Sequence, residues 1–99
     1  MGKHKLIDNE ARKCYEFNID GLVPKVDYIK TSEGDLYLTH TEVPSQLQGQ
    51  GVGKELVVAI LEEADSEGWK VIPLCGFVAG YIRKNPEWKR LLKEGVNVG

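Results

Sequence analysis

Residues 46–53 read QLQGQGVG and set Gly49, Gly51 and Gly53 at every second position, directly ahead of a strongly helical run. Glycine costs a helix interior about 1 kcal/mol relative to alanine, so three of them at a helix start imply a backbone that bends sharply or meets something closely. The first amides of a helix have no partner in the chain and carry partial positive charge, which makes such a junction an anion site in principle. Two familiar phosphate loops do not match. The Walker loop requires Gly, four residues, then Gly-Lys-Ser/Thr; Gly53-Lys54 is present, but Gln48 and Glu55 stand where the first glycine and the hydroxyl belong. The dinucleotide fingerprint requires a glycine where Lys54 stands, and a parallel βαβ opening. A tight turn with helix-packing glycines and no ligand is the alternative. The remaining reactive side chains are few. Cys14 and Cys75 are too few for a disulfide scaffold and have no metal-ligand spacing with His4 or His40, so two reduced thiols and no metal are expected.

The elements around this loop follow from hydrophobic period. KCYEFNI at 13–19 alternates Tyr15, Phe17 and Ile19 against Cys14, Glu16 and Asn18, the period of a half-buried strand. Asp20-Gly21 marks a turn, and a second strand continues from Leu22, with Pro24 keeping its start at an edge or bulge. SEGD at 32–35 is another turn, followed by a strand from Leu36 to Val43. After Pro44 the period becomes helical. Val52, Leu56, Ile60 and Ala64 trace an apolar stripe from about Gly51 to Glu67, and Gly68 is placed to stop it. WKVIPLC at 69–75 reads as a covered strand, Gly76 to Lys84 as a helix broken by Asn85-Pro86, and PEWKRLLKEG as a last helix. Residues 1–12 show no period and read as a loose lead-in. The expected order is βββ-α-β-α-α, an α/β (α+β) domain with a mixed, mainly antiparallel sheet, single over residues 1–99.

Composition bounds the partners. The 99 residues are 41% hydrophobic and 28% charged with a formal net charge of −2, an ordinary globular balance that calls for neither nucleic acid nor an anionic membrane. The nearest approach to a basic patch, Arg83, Lys84, Lys89, Arg90 and Lys93, is interrupted by Glu87 and Glu94. No apolar run approaches the ~20 residues of a membrane span, and MGKHKLIDNE lacks the apolar centre of a signal peptide, so a cytoplasmic location is expected. Met1-Gly2 opens like a myristoylation signal, but Leu6 replaces its Ser or Thr. A monomer or weak dimer is expected.

VPSQLQGQGVG resembles the cofactor loop of the GNAT superfamily of N-acetyltransferases, hydrophobic-x-Pro-x-x-(Arg/Gln)-x-x-Gly-x-(Gly/Ala) at a strand-to-helix junction. Gln48, Gly51 and Gly53 fall on its motif positions. HTEVPSQLQGQGVG, then IPLC, then NPEW, is more narrowly similar to the small GNAT-like proteins of roughly one hundred residues, which lack the N-terminal helices and C-terminal strands of full-length acetyltransferases.

The resemblance implies acetyl-CoA as the acetyl donor and a primary amine, on a protein lysine, a polyamine or a small molecule, as the acceptor. It implies that the backbone amides of Gln48, Gly49, Gln50, Gly51, Val52, Gly53 and Lys54 hold the pyrophosphate of coenzyme A, with side chains absent at 49, 51 and 53 so that no β-carbon holds the phosphate away. Gln48 adds a side-chain donor where most relatives carry arginine, and Lys54 compensates part of the lost charge or is simply solvated. The strand before the loop is implied to splay and hold the pantetheine arm at Thr41, Glu42 and Val43, with His40 and Glu42 on one face and Thr41 and Val43 on the other. Cys75, at the end of the strand across the splay, is implied to meet the thioester, either accepting the acetyl group or shaping the pocket while the amine attacks directly. Leu36 and Tyr37 stand where many relatives carry the acid that takes the amine's proton. His40, with Glu42 beside it, is the nearest substitute base, a structural histidine being the alternative. Tyr81 falls off the usual spacing of the tyrosine that protonates the leaving thiolate and reads as pocket wall or core. A second function class stays open: an acyl-CoA-binding sensor or partner module with little turnover.

Overall fold

The computed structural model describes residues 3–99; Met1 and Gly2, which open the lipidation-like sequence, lie outside the described residues. Strands β1 (Ile7–Asn9), β2 (Cys14–Glu16), β3 (Lys25–Lys30) and β4 (Asp35–Glu42) form an antiparallel meander. Helix α1 (Val52–Glu67) carries the chain to β5 (Lys70–Pro73), which pairs parallel to β4, and α2 (Gly76–Lys84) follows. The sheet order is β1-β2-β3-β4-β5. This is the mixed, mainly antiparallel architecture that the periodicity predicts. Among the described residues no helix is long and apolar enough to cross a membrane.

One face of the sheet builds the core. Tyr15, Phe17, Val26, Tyr28, Leu36 and Leu38 project from it and bury against Leu56, Val57, Ile60, Leu61 and Ala64 of α1 and Val78 and Ile82 of α2. Each fully buried aliphatic or aromatic side chain contributes about 1.5–3 kcal/mol relative to exposure, so this seam is the main favourable term in folding. Gly68 closes α1 in the left-handed conformation, φ +80°, and the Trp69 amide reaches back to the Ala64 carbonyl at 2.9 Å. The expected turn at Asp20-Gly21 has both φ angles positive, +52° and +86°, the twist that suits a two-residue hairpin. Pro24 sits just before β3, where its carbonyl accepts the Phe17 amide at 3.1 Å and its missing N–H costs nothing.

Three boundaries differ from the sequence expectation. The supposedly loose lead-in contains β1, too short to show a period and fixed by side chains far along the chain: Asp8 accepts the Tyr28 hydroxyl at 2.5 Å and the Lys30 ammonium at 2.7 Å. Burial and the bond to Asp8 push the Tyr28 phenol up. The segment after Pro86 forms a 3-10 turn over Pro86–Leu91 rather than an α-helix, burying Leu91. The strand expected over 69–75 ends at Pro73; the Leu38 carbonyl takes both the Leu74 and Cys75 amides where the ladder closes, and Cys75 caps α2 instead of ending β5.

One irregularity positions the site. β3 and β4 pair Tyr28 with Leu38 but Asp27 with His40, so Thr39 is an extra residue on β4 and a β-bulge interrupts the ladder. Before the bulge Leu36 and Leu38 face the helices; after it Thr41 and Val43 do, while His40 and Glu42 are exposed on the other side.

Candidate functional site

β4 and β5 run together only as far as Leu38 and Pro73. The Leu38 carbonyl accepts both the Leu74 and Cys75 amides, at 2.9 and 3.0 Å, and the two chains then diverge. Thr39–Glu42 keeps β3 on one side and, among the described residues, has no strand on the other. The mouth of this divergence opens into a groove of about 400 Å³ between Thr41 and Val43 of β4, the 47–54 loop and Phe77 of α2.

The loop is held in shape by its own side chains. Gly49 and Gly51 adopt left-handed backbone conformations, φ +79° and +77°, which only glycine enters without strain. A β-carbon at either would meet nothing within 4 Å, so both present bare backbone to open space. Gly53 has a different reason to be glycine: a β-carbon there would lie 2.8 Å from Phe77 Cζ, so the ring rests on the helix backbone. Gly51 caps α1 without a side-chain hydrogen bond, which leaves the first helix amides at the groove uncapped from that side. Together these features leave bare backbone at Gly49 and Gly51 and unpartnered amides at the start of α1 along one side of the groove.

Not every residue expected to hold the cofactor lines this groove. Thr41, Val43, Gln48, Gly49, Gly51, Val52, Gly53 and Lys54 do. Gln48 turns its amide back to donate to the Val43 carbonyl at 3.1 Å, bracing the loop rather than reaching out. Gln50 likewise donates to the Gln46 carbonyl at 3.0 Å. Glu42 is exposed beside His40, its Oε2 3.7 Å from His40 Nε2. His40 therefore shares the far face of the splayed segment with Glu42, as alternation predicts, and is not brought to Cys75.

Cys75, expected to carry chemistry, does not itself line the groove; it lies behind Thr41, which does. It occupies the cap position of α2, its carbonyl accepting the Ala79 amide at 3.1 Å, and its Sγ is 2.8 Å from Thr41 Oγ1, a hydrogen bond in which either group can donate. The sulfur thus stands across the gap from the splayed strand, bonded to it by side chain only. Sequence reasoning placed Thr41 here for its backbone and missed this side-chain partnership, because the bulge that turns Thr41 toward Cys75 leaves no mark in composition. It also missed Leu47, although a lone apolar residue in the polar run PSQLQGQ was a usable signal.

A larger hollow, about 740 Å³, opens on the opposite face of the sheet around Cys14 and Asp27. Burial and the Glu16 carboxylate push the Cys14 thiol up to about 11, so it is protonated at neutral pH and a poor nucleophile. The glycine loop, and with it the candidate site, lines the smaller groove. Among the described residues no group of three or more His, Cys, Asp or Glu converges as a metal site.

Comparison with known proteins bears on the family and the fold. The family described as GCN5-related N-acetyl-transferase matches residues 14–91. Protein NATD1 of Gallus gallus and of Mus musculus is 37% identical over 49 residues, a stretch covering 50% of this chain and 44% of theirs. Protein NATD1 of Xenopus tropicalis is 35% identical over 81 residues, 76% of this chain and 72% of its own. The match to the chicken and mouse relatives thus spans less than half their length. A GCN5-like protein from Staphylococcus aureus, solved by NMR, superposes with a TM-score of 0.69 at 25% identity, over 94% of this chain and 91% of that one. With the glycine loop, the splayed strand and the family match in one place, the chain belongs to the GCN5-related N-acetyltransferase family.

Proposed function

We propose that the protein binds acetyl-CoA in the groove and transfers its acetyl group to a primary amine. The observation that carries this reading is the coincidence of a bare glycine cradle and an unpaired strand edge along one cleft, with a buried thiol bonded to its Thr41 wall. Acetyl-CoA supplies a thioester whose acyl carbon is open to a neutral amine. The amides of the 48–54 loop hold the diphosphate, and Lys54, exposed at the start of α1, adds a positive charge beside it. The free edge at Thr41–Val43 offers N–H and C=O groups to a peptide-like arm as it would to another strand. Thr41, bonded to the nearly enclosed Cys75 thiol behind it, forms the inner wall.

His40 is the proposed base. It stands on the far side of the same splayed segment, where an amine entering from the side opposite the cofactor would meet it, with the Glu42 carboxylate 3.7 Å from its Nε2. The open sheet face suits an exposed lysine or a polyamine better than an enclosed small molecule. A binding module with little turnover is the second reading, favoured by Leu36 and Tyr37 where relatives carry an acid.

Thermal denaturation with and without acetyl-CoA tests the reading. Binding to the folded state alone adds RT ln(1 + [L]/Kd), about 2.7 kcal/mol at one hundred times Kd, which raises the melting temperature of a chain this size by several degrees. Gly51→Asp places a carboxylate in the cradle and is expected to abolish the shift; an unchanged shift removes the loop from the site. An amine screen reading coenzyme A release then separates enzyme from binding module.

A further inference from the structure

On the sheet face turned away from the helices, strand register sets the floor of the 740 Å³ hollow. β2, β3 and β4 pair Cys14 with Asp27 and Asp27 with His40, so these three positions stand in one row across the sheet. Glu16, Lys25 and Glu42 form the next row. The Glu16 carboxylate leans back over the first: its Oε1 accepts the Asn9 side-chain amide at 3.2 Å and the Cys14 thiol at 3.4 Å. The hollow thus lies at one end of the row, and His40, exposed on the same face, at the other.

The charges around the hollow are incompletely matched. Lys25 Nζ is spent on Asp27 at 2.7 Å. Glu16 receives two neutral donors, and among the described residues no cation pairs with it. Arg12 and Lys13 stand exposed on the rim, and among the described residues neither forms an ion pair. The hairpin holds both there. The Arg12 amide donates to the Asn9 carbonyl at 3.2 Å, and Lys13 takes a left-handed backbone, φ +58°, that L residues enter only at a cost, its carbonyl accepting the Tyr28 amide at 2.9 Å. A ligand that matches all three groups carries a cation for Glu16 and an anion for Arg12 and Lys13 on neighbouring atoms, as the head of a free amino acid does. Charge-assisted hydrogen bonds of this kind are the strong ones.

We propose that the hollow holds the head of the acetyl acceptor, and that the acceptor is a free α,ω-diamino acid such as lysine: its α-ammonium on Glu16, its α-carboxylate toward Arg12 and Lys13, its ω-amine beside His40. β2 and β4 are two strand spacings apart, about 9–10 Å, which the extended side chain bridges with a hydrogen bond at each end. Lying across the open sheet face, such a molecule is an exposed lysine rather than an enclosed one. The neutral ω-nitrogen forms a bond to the acetyl carbon of acetyl-CoA, the carbon–sulfur bond breaks with its electron pair on sulfur, and the nitrogen's proton passes to His40. Coenzyme A leaves as the thiolate. This acceptor role rests on the acetyl-transfer reading of the cleft.

NMR titration of the full chain with L-lysine, Nα-acetyl-L-lysine and L-lysinamide, without acetyl-CoA, tests the hollow. Lysine is expected to move the amide signals of residues 9–16 and 25–27 and to leave those of 48–54 in place. Each analogue lacks one charge of the head and is expected to bind about tenfold more weakly. Glu16→Gln, whose side-chain carbonyl still accepts from Asn9 and Cys14, is expected to bring lysine down to about the affinity of Nα-acetyl-lysine, and Arg12→Gln/Lys13→Gln to about that of lysinamide. No lysine-dependent change at the hollow, or analogues that bind as well as lysine, overturns the inference and leaves the cleft reading standing. Coenzyme A release then tests the acceptor: kcat/KM is expected to be about tenfold higher for lysine than for lysinamide, and release with other amines but not with lysine overturns the acceptor role. An absent thermal shift with acetyl-CoA overturns the cleft reading and the acceptor role with it, whatever the hollow binds.

Discussion

Two alanines placed two residues apart in the glycine loop should have opposite effects on stability. At Gly51, φ +77°, an L side chain is forced into the left-handed region, which costs about 1–2 kcal/mol, and there is no contact within 4 Å to offset it. A domain of 60–100 residues loses about 4–8 °C of melting temperature per kcal/mol, so Gly51→Ala is expected to melt about 4–16 °C lower. Gly53 lies inside the first turn of α1 with no positive φ, where alanine gains up to about 1 kcal/mol of helix propensity. Its new β-carbon meets Phe77 Cζ at 2.8 Å, but that ring is 49% exposed and can swing outward. Gly53→Ala is therefore expected to melt at or slightly above the native temperature while the displaced ring narrows the groove and weakens acetyl-CoA. Adding Phe77→Ala to it should restore the open groove. Differential scanning calorimetry with and without ligand reads both effects. If Gly53→Ala melts as low as Gly51→Ala and removal of the Phe77 ring does not rescue it, the distinction between a strained and a crowded glycine is wrong.

The remaining expectations concern the site and its tether. Incubation with acetyl-CoA should leave the intact mass unchanged, because the Cys75 thiol is bonded to Thr41 and nearly enclosed; an acetyl adduct on Cys75 would make the thiol an acyl carrier instead. His40→Gln should lower turnover about a hundredfold with unchanged acetyl-CoA affinity, as for a general base, and unaltered rates would return His40 to a surface role. Burial alone would raise the Glu55 carboxyl, but bonds from the His4 ring and the Lys3 and His4 amides hold it below its ordinary value. A depressed carboxyl contributes stability above its unfolded pKa and loses it as pH falls through the folded one. The melting difference between native protein and Glu55→Gln should accordingly be largest at neutral pH and vanish in acid; a difference independent of pH would disprove the tether.

Much of the fold was legible because its signals are local. The alternation around Tyr15 and Phe17, the Asp20-Gly21 turn, the stripe from Val52 to Ala64 and the stop at Gly68 each declare one element within a few residues. What escaped depends on distant partners. β1 owes its place to Asp8 meeting Tyr28 and Lys30, and the Cys75–Thr41 bond joins residues 34 positions apart. The glycine loop was legible as a candidate site, but the contacts its residues make within the chain were not. A β-carbon at Gly53 would crowd Phe77, and Gln48 donates to the Val43 carbonyl.

The extra Thr39 on β4 decides which side chains line the cleft. Side chains along a strand alternate with a period of two, so a regular ladder through this point would pair Asp27 with Thr39 and turn every later position to the other face. Imidazole and carboxylate from His40 and Glu42 would then enter the cleft, and the hydroxyl of Thr41 and the isopropyl group of Val43 would leave it. One unpaired residue thus keeps the wall neutral, and deleting it would preserve the facing of all that follows while straightening the strand.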